Sequence, residues 1–158
     1  MSALVTLAVA VGCGMMAGLY FAFSAFIMRS LAELPVPQGV LAMQSINRVI
    51  LGSPFMALFF GTSLASLGLA VWGVARWSEA GAALLVAGGA LYVVGQLVFT
   101  AAFNVPLNDA LDVVDPASAE AVRAWARYLD RWTLWNHVRA AASLSSCVLF
   151  LAAAWSMR

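Results

Sequence analysis

The sequence predicts an all-α fold: a single bundle of four transmembrane helices, with short interfacial helices in its two longer connections. Composition is the first reason. Of 158 residues, 64 % are apolar and 9 % charged, and the mean hydropathy is +0.94. Soluble domains run near half apolar and a quarter charged. The second reason is length: four apolar runs each reach the roughly 20 residues that cross a hydrocarbon core about 30 Å thick. The third is that polar residues cluster between those runs rather than within them.

The first span runs over 4–28. No basic segment precedes it, so it reads as a retained helix rather than a cleaved signal. Gly14 and Gly18 form a GxxxG pair that serves close packing inside the bundle or a homo-oligomer seam. Pro35 and Pro37 mark the first loop, and a short interfacial helix over 39–49 leads into the second span, 50–75. The brief 76–81 connection makes spans two and three an antiparallel hairpin. The third span covers 82–103, and Pro106, which lacks an amide donor, ends it. Asp115 and Pro116 read as N-cap and first residue of a helix reaching Arg131. Its apolar face is Val122, Trp125, Ala126 and Leu129, so it lies along the interface. The fourth span covers 136–155. No linker or repeat divides the chain, and residues 1–158 form one domain.

Both termini and the 76–81 turn then share one side. Arg29, Arg48, Arg123, Arg127, Arg131 and Arg139 lie on or near the other, against Arg76 and Arg158. The positive-inside rule puts segments 29–49 and 104–135 in the cytoplasm of a multi-pass cell-membrane protein. A net charge of +1 offers nothing to nucleic acid. Two isolated cysteines, Cys13 and Cys147, and a single histidine form no disulfide framework and argue against a zinc, haem or copper site; a carboxylate-rich metal site stays open with little support.

The unusual polar residues converge at one end. Gln44, Asn47 and Arg48 precede the second span, Asn104, Asn108 and Asp109 follow the third, and Asn136, His137 and Arg139 open the fourth. At about 100° per residue, Trp132, Trp135, Asn136, Arg139, Ser143 and Ser146 share a stripe that should face the bundle interior. His137 points roughly 140° from Trp132, which counts against it as a base despite its suitable titration range. Tyr92, Gln96, Phe99 and Phe103 form a second stripe. Together these could line an apolar, aromatic pocket capped by amides and arginines, suited to a planar and partly polar small molecule. The competing reading is structural: aromatics that pack, with Asn104 capping carbonyls freed by Pro106 and Asp109 pairing with Arg48 or Arg139.

Asn104-x-Pro106-x-Asn108, followed by Trp132-x-x-Trp135-Asn136-x-x-Arg139 at the head of the last helix, resembles the anthrone oxygenase-like family of small membrane proteins. The Gly-rich first helix with Tyr20, Phe21 and Phe23 is similar too. The resemblance implies oxidation of a lipophilic phenol or anthrone by dioxygen without metal or flavin. On that reading Arg139 and Arg48 stabilise a phenolate, and Asn47, Asn104, Asn108 and Asn136 orient oxygens. His137 or Asp109 acts as base, and Trp132, Trp135, Tyr92 and Phe99 stack on the substrate beside Gln96. The alternative is a non-catalytic membrane protein, lipophile-binding or structural. A transporter is the least supported reading, because no ionisable residue sits at mid-membrane.

Overall fold

The computed structural model describes residues 3–157; Arg158, used above to weigh topology, lies outside them. Four helices are long and apolar enough to cross a membrane: α1 (Ala3–Ala32), α3 (Pro54–Ala75), α4 (Ala82–Asp112) and α5 (Ala119–Ser156). The short α2 (Val36–Leu51) joins α1 to α3. Each spanning helix packs on its neighbours in cyclic order, α1 on α3, α3 on α4, α4 on α5 and α5 on α1. This up-down-up-down arrangement follows from short connections between long apolar helices. Val11, Met15, Phe60, Leu64, Val71, Leu144 and Val148 point outward and are exposed. An apolar surface this continuous requires lipid against it.

Two boundaries differ from the sequence reading for local physical reasons. Pro106 does not end the third span. A wide turn over Thr100–Asn104 precedes it, in which the amide of Val105 reaches back to Thr100 O. The proline then takes an early position of a continuing helical segment, where its missing donor costs nothing. α4 stops instead at Asp112, where Gln44 Nε2 donates to the carbonyls of Leu111 (2.9 Å) and Val114 (3.0 Å). The polar 115–131 stretch is likewise no separate interfacial helix. Ser118, not Asp115, is the N-cap, its hydroxyl accepting from the amide of Ala121. From there one helix of 38 residues runs to Ser156. At 1.5 Å per residue it is roughly 57 Å long, so its N-terminal part extends past the hydrocarbon.

That extension is covered by its own small core of Met28, Val40, Met43, Leu111, Trp125, Tyr128 and Trp132. A larger core of Val9, Cys13, Met16, Leu69, Leu85, Tyr92 and Phe150 fills the rest of the bundle and reaches Tyr20 and Phe59 beside this end. The close helix approaches there use other glycines than the GxxxG pair. A Cβ on Gly12 would sit 2.6 Å from Thr62 Oγ1, and one on Gly89 would strike Ser66 O, whereas Gly18 has nothing within 4 Å. Gly81, at φ 82°, turns the chain between α3 and α4.

Candidate functional site

Three wide, π-helical turns interrupt the regular ladders: Phe23–Ile27 in α1, and Val93–Val98 and Thr100–Asn104 in α4. Such turns recur at functional sites because they rotate the following side chains and loosen backbone carbonyls. Here they bracket the head of α5. Asn136 is fully buried. Its Nδ2 donates to Tyr20 O and to Ser24 Oγ, both at 2.7 Å, tying α5 to the wide turn of α1. Its Oδ1 accepts from Arg139 Nη2 at 2.8 Å, one helical turn along.

Arg139 is 5 % exposed. Its Nη1 donates to Thr100 Oγ1 at 3.3 Å, while the threonine hydroxyl passes its own hydrogen to Gln96 O at 2.6 Å. The guanidinium lies 4.4 Å from the Tyr20 ring centre and 5.1 Å from that of Trp132. Gln96 Nε2 in turn holds the Tyr20 hydroxyl at 3.0 Å. These partners orient the cation without neutralising it. Among the described residues the ion pairs are Arg29–Glu33, Arg48–Asp112 and Arg76–Glu79; none includes Arg139. Two of its five N–H groups have acceptors, and buried Nε has none among the described residues. A cation withdrawn from water without a counter-charge costs several kcal/mol, only partly offset by cation–π attraction of about 0.5–2 kcal/mol per ring.

Arg139 is also part of the wall of a cavity of about 250 Å³ at this end of the bundle. All five helices contribute to it, and the wall is mostly apolar, with Phe23, Phe55, Phe59 and Leu97 among its residues. The buried Nε1 of Trp132, also on the wall, lacks an acceptor among the described residues. The site therefore offers aromatic surface, one fixed positive charge and spare donors. That combination suits an anionic or acceptor-rich aromatic molecule.

The sequence profile of the anthrone oxygenase family matches residues 55–149. The chain belongs to that family. No curated protein matches it, and no solved structure does. The matched stretch covers Thr100, Asn104, Asn108, Trp132, Asn136 and Arg139, and leaves the α1 and α2 side of the pocket outside it.

In this anthrone oxygenase family member the residues singled out by sequence fall into distinct places. Asn47, Asn108, Trp132 and Arg139 line the cavity. Asn136 and Gln96 stand behind it as braces. Asn104 does not cap its own helix; its Nδ2 donates across to Trp132 O at 3.3 Å. Trp135 and Phe99 pack with Phe103, the Trp135–Phe103 rings stacked at 3.9 Å, away from the cavity lining. Tyr92 belongs to the larger core and does not line the cavity. Arg48 is exposed and pairs with Asp112 at 2.9 Å rather than with Asp109. Asp109 and His137 are both exposed. Sequence reasoning gave no role to Ser24, Thr100 or Tyr128, and Tyr20 entered only through the family resemblance. The available signal was spacing: Tyr20 with Ser24 and Gln96 with Thr100 are i,i+4 polar pairs inside apolar runs.

Proposed function

We propose that the cavity binds a planar, lipophilic aromatic with an acidic enol or phenol as its anion against Arg139, and that the bound anion is oxygenated by dioxygen. The observation that carries this reading is a buried, oriented arginine on an apolar wall, with no carboxylate partner among the described residues. Membership of the anthrone oxygenase family supports the reaction class.

The arginine's role is electrostatic. A fixed positive charge in a low-dielectric site stabilises the enolate relative to its neutral form, which lowers the energy of deprotonation. Thr100 and Asn136 hold the guanidinium in place, so no reorganisation is needed when the anion forms. The enolate carbon gives an electron to dioxygen, and recombination forms a C–O bond. The resulting peroxide loses hydroxide as the carbon's remaining hydrogen leaves as a proton. One oxygen atom becomes a ring carbonyl; the other leaves as water with the two hydrogens lost from that carbon. Dioxygen is the oxidant, and the bilayer supplies both lipophilic reactants. Trp132, Phe23 and Phe55 exclude water from the reacting pair. The arginine-rich site end, with Arg29, Arg48, Arg123, Arg127 and Arg131, supports a cytoplasmic position for segments 29–49 and 104–135.

The test is oxygen uptake with anthrone in vesicles containing the protein, against vesicles without it. The expected result is one dioxygen consumed per anthraquinone formed, well above the spontaneous rate. Arg139→Gln should lower that rate about a hundredfold. Anthrone binding without acceleration would leave a lipophile-binding membrane protein and overturn the enzymatic reading. Elemental analysis of the active protein tests the expectation that no metal takes part, and its visible absorption spectrum tests the same for flavin.

A further inference from the structure

The cavity has a second polar station. Asn47 on α2 and Asn108 on α4 both line it, and both address one hydroxyl, that of Tyr128 on α5. Tyr128 Oη donates to Asn108 Oδ1 at 2.8 Å and accepts from Asn47 Nδ2 at 3.4 Å. The ring is fixed between Trp125 and Trp132, each with its ring centre 5.8 Å away and nearly parallel. The single hydrogen of the hydroxyl goes to one amide and its oxygen accepts from the other, which leaves one amide's carbonyl oxygen and the other's NH₂ without a role at Tyr128. Here Asn47 keeps the acceptor and Asn108 the donor.

We propose that Asn47 and Asn108, polarised by Tyr128, select ligands that carry a hydroxyl at the end remote from Arg139. The proposal rests on the cavity being the substrate site. A hydroxyl can give its hydrogen to Asn47 and accept from Asn108. A methoxy or carbonyl oxygen satisfies only Asn108, and a bare ring edge satisfies neither. The class is thus a lipophilic aromatic with an acidic oxygen at one end and a hydroxyl at the other. Tyr128 acts as a positioning residue, through the two amides.

Calorimetric titration in lipid nanodiscs, with protein-free discs as blank, tests this using 2,6-dihydroxynaphthalene and 6-methoxy-2-naphthol. The wild type should bind the diol about tenfold more tightly, as expected when one hydrogen bond to a partly buried amide is lost. In Asn47→Ala that ratio should fall to about one, whereas Asn108→Ala, which removes a donor both ligands use, should weaken both and leave the ratio in place. Arg139→Gln should weaken both ligands and leave the ratio in place. Tyr128→Phe keeps the ring stack and removes only the hydroxyl, so it should lower the ratio even if an asparagine variant fails to fold. An unchanged ratio in Tyr128→Phe, and in Asn47→Ala where that variant folds, overturns the proposal. A ratio of one in the wild type, with both ligands still dependent on Arg139, overturns the second station alone. Binding of neither ligand above the blank overturns the site reading and the station together.

Discussion

The two ends of the bundle are built on opposite plans. Around Val9, Leu69, Leu85 and Phe150 the helices are regular and glycines bring them together, with Gly89 facing Ser66 O and Gly73 facing Ala82 O. Around Arg139 the helices carry wide turns, polar side chains are buried, and space remains between them. Both ends are apolar in composition. The difference is that one draws its helices together on glycines while the other holds a cavity around a charge. A membrane protein has no hydrophobic drive to collapse its helices against lipid, so shape and hydrogen bonding decide how closely they pack. The glycine end supplies rigidity; the other end can then keep a cavity and a buried cation without losing the fold.

Substitutions should separate the two plans. The largest effect belongs to the tight end. Gly89→Leu should abolish folded protein, and Gly89→Ala should cost about 1–3 kcal/mol, read as a lowered thermal midpoint in detergent. Gly18→Ala, with open space around it, should leave that midpoint in place. Next comes the charge itself: Arg139→Gln should retain the fold while anthrone turnover falls about a hundredfold. Arg139→Lys should recover little, since an ammonium cannot bridge Thr100 and Asn136 with a planar fork. Asn136→Ala should act on both scales. It removes the link to Tyr20 and Ser24, costing about 1–3 kcal/mol, and frees Arg139 to move, so turnover and stability fall together. The smallest effect is at the surface, where Arg48→Ala breaks an exposed pair worth at most about 1 kcal/mol. His137→Ala should leave the pH profile of turnover unchanged, since His137 lies on the exposed face of α5. A shift in that profile would restore the histidine as a base.

Much of this contrast was legible in the sequence. Four apolar runs give the spans, and helical angle alone places Asn136 and Arg139 together on the inner face of the last helix. The same wheel was too coarse for the tryptophans. Trp132 and Trp135 lie about 60° apart, enough for one to meet the cavity and the other to stack on Phe103. What could not be read were the wide turns. Each shifts the register of the residues after it, so a 3.6-residue stripe drawn through α4 groups Tyr92 with Phe99, although Tyr92 packs in the bundle core and Phe99 packs against Trp135. The turn before Pro106 also hid the continuation of α4, and with it the pairing of Arg48 with Asp112. Nor does sequence show whether a buried arginine has found a carboxylate; that is a fact of three dimensions.

An arginine that holds an aromatic anion, as proposed for Arg139, must shift the ionisation of a bound phenol. 2-Naphthol titrated by absorbance in protein-containing nanodiscs reports it, because phenol and phenolate absorb at different wavelengths. An opposite charge at close range lowers an acid's pKa by about one to three units. The bound naphthol should therefore ionise at least about one unit lower in the wild type than in Arg139→Gln, with tighter binding as pH rises through that bound value toward the free one. Equal ionisation in the two proteins, or a higher value in the wild type, would contradict the account.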